Sequence, residues 1–172
     1  LKIQIPQLPQ GHSRIARREP PEGLDLDEWF RPRGPLEVDL DAERRGEQIT
    51  FRGRVGIEAD QDCARCAKEF RFRLEAEVLI FADRRGSDVP EDEETLEREG
   101  DVLYHDGIEL DLDEPLREAL ILEVPVVQLC RPDCRGLCPH CGRDLNEGPC
   151  SCAPPAGDPR WEGLKSLKDK SS

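Results

Sequence analysis

Apolar residues along this chain alternate with polar ones more than they recur at helical spacing. The longest alternation runs from Ile49 to Ile80. With Ala64 and Arg65 at a tip, so that Cys63 faces Cys66, one face pairs Ile57 with Phe72, Val55 with Leu74 and Phe51 with Val78. The other face then pairs Glu58 with Arg71, Arg54 with Glu75 and Arg52 with Glu77. A one-residue slip would exchange the two faces, so an apolar ladder backed by a charged one predicts a long antiparallel hairpin over residues 49–80. Ile3 and Ile5, and then Leu36, Val38 and Leu40, predict further strands. Val102–Tyr104 and Ile108–Leu110 flank His105-Asp106-Gly107 and predict a second hairpin turning on Asp-Gly.

Helical spacing is confined to two places. Asp111 or Asp113 caps a helix that runs to about Glu123, with Pro115 in its first turn and Leu116, Leu120 and Ile121 as its apolar stripe; Pro125 stops it. Asp158-Pro159 opens a short last helix carrying Trp161, Leu164 and Leu167, with Lys165, Lys168 and Lys170 suited to its C-terminal end.

Charge refines this picture. The 172 residues are 36% hydrophobic and 37% charged, with a net charge of −13, which predicts a modest core with long solvated segments. Residues 87–101 hold eight acids and one Arg, a net −7, and read as a solvated loop. Such acidity argues against coating nucleic acid by charge alone, because phosphate binding depends on Lys and Arg releasing counterions. Arg52, Arg54, Arg71 and Arg73 resemble a basic stripe with aromatics between, yet the hairpin pairing gives most of them carboxylate neighbours. No stretch is apolar enough to span a bilayer, and Leu1-Lys2-Ile3-Gln4 lacks a signal-peptide pattern. The chain starts at Leu1 and contains no Met, as a trimmed start, or an alternative start codon read as Leu, would leave it. A soluble, cytoplasmic protein is expected.

Eight cysteines are more than packing needs: Cys63-x2-Cys66, Cys130-x3-Cys134, Cys138-x2-Cys141 and Cys150-x-Cys152. Two thiols on one tight turn point at a common centre, and two such turns complete a tetrahedral shell for Zn2+. Gly136, Pro139 and Gly142 supply turns that let amides face the thiolates. In a reducing compartment such spacings indicate metal or redox chemistry before structural disulfides. Cys138, Cys141, Cys150 and Cys152 can close one site locally. Cys63, Cys66, Cys130 and Cys134 would then form another, stapling the hairpin tip to the C-terminal part where a long loop makes a clip most useful. The competing pairing joins Cys130 and Cys134 with Cys138 and Cys141. His140 is expected to be exposed, and His12 and His105 have no companions.

Eight thiols divide into two closed sites, which are structural, whereas a catalytic zinc keeps an open position. A redox Cys-x2-Cys belongs at a helix N-terminus, and here it sits on a hairpin. No phosphate loop or nucleophile triad is present, so no enzyme is expected. The fold class is α+β, mainly antiparallel β, with the 49–80 hairpin in a small sheet or barrel, few helices, and a C-terminal cysteine-rich zinc module of the zinc-ribbon kind. The expected organisation is a β-rich domain over 1–129, a zinc-binding module over 130–157 packed on the hairpin tip, and a short helix over 158–172.

Cys63-Ala64-Arg65-Cys66 on a hairpin, Leu122-Glu123-Val124-Pro125-Val126-Val127 after a helix, Gly136-Leu137-Cys138-Pro139-His140-Cys141-Gly142 with Asp144-Leu145-Asn146, Cys150-Ser151-Cys152 and Asp158-Pro159-Arg160 together resemble the YceD family. Its members are bacterial, with plastid relatives, and are named for accumulation of large-subunit ribosomal RNA. The resemblance implies a role in large-subunit assembly or precursor rRNA processing, and it brings no catalytic residue. The implied partners are large-subunit rRNA or its precursor, a basic ribosomal protein, or both. Neither a membrane nor a small-molecule substrate is expected. Residues 130–172 hold seven basic and six acidic side chains, a net +1. Arg131, Arg135 and Arg143 around the cysteines are the first candidates for RNA or partner contact, and Arg14, Arg17 and Arg18 the second. Each Zn2+ bound by four thiolates is −2, so two filled sites deepen the acidity. The alternative readings are a zinc-stapled interaction module unrelated to ribosomes and a thiol oxidoreductase.

Overall fold

The structure is a computed structural model that describes residues 1–26, 29–84 and 102–152. The acidic run 87–101 and the helix expected from Asp158 lie outside the described residues. The described residues form seven strands: β1 (Lys2–Gln4), β2 (Gly11–Glu19), β3 (Arg31–Arg45), β4 (Gln48–Asp62), β5 (Glu69–Arg84), β6 (Val102–His105) and β7 (Glu109–Asp111). Helix α1 (Asp113–Leu122) follows β7. An open five-stranded sheet has the order β2-β3-β4-β5-β6, and β1 pairs with β7 in a small second sheet. The large sheet is antiparallel except for β6, which runs parallel to β5. Its two outer strands do not pair with each other, so it is a mixed sheet and not a barrel.

The core forms because β3, β4 and β5 bury alternate residues on one face. Leu36, Val38, Leu40, Phe51, Val55, Ile57, Leu74, Ala76 and Ile80 supply that face. Across from them lie Ile3, Ile5, Leu26, Phe30, Leu110, Leu112, Leu116 and Leu120, a second layer over the sheet. The far face is charged: Arg14 holds Asp39 at 2.6 Å and Arg54 holds Glu77 at 3.4 Å. No helix among the described residues is long and apolar enough to cross a membrane.

The β4–β5 hairpin corrects the expected register. Ile57 faces Leu74, Val55 faces Ala76 and Arg54 faces Glu77, a shift of two residues along β5. A shift of two keeps every side chain on its face, so the apolar ladder survives with new partners and the ion pairs are exchanged as well. Arg71 bonds Asp60 at 3.2 Å instead of Glu58, and Arg52 lies opposite Leu79. The cause is the turn. It spans Cys63 to Lys68 rather than two residues, closed by Cys63 N–H to Lys68 O at 2.9 Å and Ala67 N–H to Cys63 O at 2.8 Å.

The Asp106-Gly107 turn also differs from expectation. Asp106 Oδ1 accepts from the amides of Ile108 and Glu109, and Gly107 has φ +90°. The flanking strands do not pair with each other: β6 joins β5 and β7 joins β1. His105 is buried there, its Nδ1 accepting from Gly107 N–H and its Nε2 at 3.0 Å from Glu47 O on the β3–β4 turn. This anchor holds β6 to the large sheet while the turn passes the chain to the small one. The helix keeps its expected span and apolar stripe, with Leu116 and Leu120 fully buried, but not its expected cap. The N-cap residue is Leu112, with no side-chain cap bond, while Asp111 Oδ1 accepts from Asp113 N–H just before the first turn.

Candidate metal centres

The hairpin tip is a knuckle around two thiols. Cys63 donates its amide to the residue five positions on, Lys68, and accepts from the residue four positions on, Ala67, which has φ +55°. The loop from Cys138 repeats this arrangement: its N–H donates to Arg143 O at 2.8 Å, its O accepts from Gly142 N–H at 2.9 Å, and Gly142 has φ +71°. Turning the chain back within five residues leaves amides directed at the enclosed sulfurs.

The eight thiols gather into two groups. Cys63, Cys66, Cys130 and Cys134 form one, and Cys138, Cys141, Cys150 and Cys152 the other, with the sulfurs of each group all within 4.8 Å of one another. Either group could hold a metal ion. In the first, Cys63 and Cys134 sulfurs are 3.7 Å apart, and so are those of Cys66 and Cys130. That is far from a disulfide, and close to the edge, about 3.8 Å, of a tetrahedron with metal–sulfur bonds of about 2.3 Å. The donor set and spacing therefore suit a soft, tetrahedral divalent ion. In the first group Cys63, Cys66 and Cys134 are buried against Phe70 and Leu129 and Cys130 is half-buried, while Cys141 of the second is exposed.

Four crowded thiols cannot all ionise alone. Burial pushes the Cys63 thiol up, but the amides of Cys130, Cys66 and Arg65 outweigh it and bring it down to about 6. Cys130, desolvated and beside the other three sulfurs, is pushed up to about 12. The second group repeats the split. The Cys141 and His140 amides, with Cys150, lower Cys138 to about 6, while Cys141 and desolvation raise Cys152 to about 12. A bound divalent cation resolves that conflict by stabilising every thiolate at once.

Several contacts hold the groups together. Gln128 O accepts from Ala64 N–H at 2.8 Å, Arg65 Nη1 donates to Cys134 O at 2.8 Å, and Leu137 N–H donates to Arg65 O at 3.1 Å. Asn146 lies between the groups. Its Oδ1 accepts from Arg135 N–H and from Arg131, both at 2.8 Å, while its Nδ2 donates to Cys134 Sγ at 3.5 Å and to Asp144 Oδ1 at 2.7 Å. Lys68 reaches from the tip to Asp144 at 2.7 Å and Glu147 at 2.8 Å, and these partners raise its pKa. Sequence reasoning assigned no role to Asn146 or Lys68. The repeated six-residue knuckle was a readable signal for the turn, but nothing local marks a side chain that bridges two distant loops.

The candidate contact arginines are exposed but not equivalent. Arg131 is tied to Asn146 and to Asp133 at 3.4 Å. Among the described residues, the guanidinium groups of Arg135 and Arg143 have no ion pair. On β2, Arg14, Arg17 and Arg18 face Asp39, Glu19 and Glu37, which largely offset their charge. His140 is exposed.

Residues 51–168 match the family described as large ribosomal RNA subunit accumulation protein YceD. The chain belongs to the YceD family. An uncharacterized protein of Mycobacterium tuberculosis is 33% identical over 135 residues, covering 77% of this chain and 61% of the relative. The large ribosomal RNA subunit accumulation protein YCED homolog 1, chloroplastic, of Zea mays is 26% identical over 162 residues, covering 80% of this chain and 54% of the relative. Its namesake in Arabidopsis thaliana is 23% identical over 158 residues, covering 79% and 49%. This chain thus spans roughly half to three-fifths of the relatives it matches. No solved structure matches it.

Proposed function

We propose that this YceD-family chain is a non-catalytic, zinc-stapled factor in large ribosomal subunit biogenesis, acting in the cytoplasm through rRNA or a basic ribosomal protein. The observation that carries the reading is the four-thiol group formed by Cys63 and Cys66 on the hairpin tip with Cys130 and Cys134 beyond the helix, in a chain of this family. In this reading the first group holds one Zn2+ and Cys138, Cys141, Cys150 and Cys152 hold another. The first ion clips a module over 130–157 to a β-rich domain over 1–129, and the second closes a loop within that module. The zinc supplies structure, with its four positions filled by sulfur. The names of the chloroplast relatives, which refer to accumulation of large-subunit rRNA, support the ribosomal role. Arg135 and Arg143 are the exposed cations best placed for a partner.

Two measurements test the reading. Elemental analysis of purified protein should find two zinc ions per chain, and one after Cys138→Ser or Cys63→Ser; retention of two in either variant overturns the ligand assignment. On gradients, the protein should sediment with precursor large-subunit particles and leave them at high salt. Sedimentation apart from those particles at low salt overturns the ribosomal role.

A further inference from the structure

On its outer side β5 is paired only at Phe81–Arg84, by β6. From Glu69 to Ile80 that rim has no strand partner among the described residues. An unpaired rim presents main-chain donors and acceptors to any extended segment. A cleft of about 400 Å³ lies along it, lined by the successive residues Phe72, Arg73, Leu74 and Glu75 and, opposite, by Glu123 and Pro125. Successive strand side chains point to opposite faces, so a cleft touching four in a row lies at the strand's edge. Through Phe72 and Pro125 it continues into a more apolar hollow of about 320 Å³ walled by Phe70, Val127 and Leu129. The two make one trough along the rim towards the cysteine tip.

The far wall of the trough is the strap after α1. Val127, which lines the trough, is 60% exposed; beside it Val126 is 102% exposed, and Leu122 at the end of α1 is 84% exposed. Contiguous exposed apolar surface marks interaction sites, whereas isolated residues do not. The strap does not complete the sheet itself. The amides of Glu123 and Val124 donate back to the last turn of α1, and Gln128 O accepts from Ala64 N–H. Pro125 has no N–H to offer.

Charge selects the occupant. Arg73 is bound to Glu37 and Glu75 at 2.7 Å each and to Glu58 at 3.5 Å, so its donors are occupied and acids outnumber it. Glu123 adds another carboxylate across the cleft, on a chain of net −13. A phosphate backbone would meet carboxylates here. We propose that the trough docks an extended cationic protein segment, alternating apolar and basic residues, which adds to β5 as a further strand. Main-chain pairing would supply affinity. Alternate apolar side chains would rest on Phe70, Phe72 and Val127, and the basic ones would face Glu75 and Glu123.

This inference rests on the ribosomal reading only for the biological source of the segment; the surface argument is independent of it. The test uses the whole 172-residue chain, loaded with zinc, and a fluorescein-labelled octapeptide of alternating Val and Lys, read by anisotropy. Binding should weaken about tenfold or more for a Val/Glu octapeptide, for oligouridylate, and for the Val-Lys peptide with Val127→Lys. Val127 is exposed, so a circular-dichroism spectrum matching the wild type isolates docking from folding. N-methylation of one alternate set of peptide amides should abolish binding while the other set is tolerated. Absent binding, equal binding of the acidic peptide or RNA, or indifference to Val127→Lys or to N-methylation overturns the proposal. So does a benzoylphenylalanine at position 126 that cross-links to a second copy or to residues 153–172. Particle sedimentation can persist when the peptide fails to bind, and can fail when it binds, so the two readings are separable.

Discussion

Ala67 has φ +55° in the hairpin knuckle, where Gly142 occupies the equivalent position of the second loop at φ +71°. A left-handed conformation costs an L-residue about 1–2 kcal/mol, partly offset in glycine by its freer unfolded chain. Ala67→Gly should therefore stabilise the protein by about 0.5–1 kcal/mol, read as a rise in urea midpoint at constant zinc content. Gly136 presents the opposite case. It has φ +73°, and a Cβ there would lie 2.8 Å from Arg65 O, a main-chain atom that also accepts from Leu137 N–H. Gly136→Ala should cost about 2 kcal/mol or more and loosen the second loop from the tip, visible as faster amide exchange at Leu137. Asp60 is a residue-scale pH sensor. It is buried, and its hydrogen bond to Arg33, joined by Arg71 against the opposing effect of burial, holds its carboxyl below the ordinary 3.8. A depressed native pKa contributes stability that is fully present above the unfolded value and is lost as pH falls through the folded one. The urea midpoint should fall below about pH 4, and Asp60→Asn should show a lower midpoint at neutral pH and a shallower acid limb.

At the scale of elements, the hairpin shows what a pattern can and cannot convey. Which residues of 49–80 face the core was legible, because alternation assigns a face to each residue whatever the register. The register was not. It depends on how many residues the turn consumes, and Ala67 and Lys68 belong to the knuckle because the thiols must turn inwards. A two-residue tip and a six-residue knuckle differ by an even shift and leave the same faces. Likewise Asp106-Gly107 announced a turn, but not that its flanking strands pair with different sheets. The span of helix α1 was legible, since its apolar stripe and Pro125 act locally, although its N-cap is Leu112 and not an aspartate. Phe51 tests the buried ladder. It is fully buried opposite Ile80, and Phe51→Ala should cost about 3–5 kcal/mol in equilibrium unfolding without changing the zinc content.

On the scale of the whole molecule, the sheet core and the cysteine groups are separate packing units: the main core contains no cysteine, and Cys63, Cys66 and Cys134 form their own cluster. With zinc bound as proposed, a strong chelator should therefore expose residues 126–152 to limited proteolysis while the β-sheet signal in circular dichroism persists. Loss of the sheet together with the metal would show one cooperative unit instead. Composition, strand faces, helix limits and the pairing of thiols within each short motif follow from the sequence by itself, because each reflects local periodicity or local turn chemistry. The family, too, could be read from the order of those motifs. Only the tertiary structure decided the register, the parallel strand, the bridge made by Asn146 and Lys68, and the open rim of β5 beside a bare apolar strap. Those depend on contacts between segments tens of residues apart, whose closure is set by the packing of the whole chain and by no local pattern.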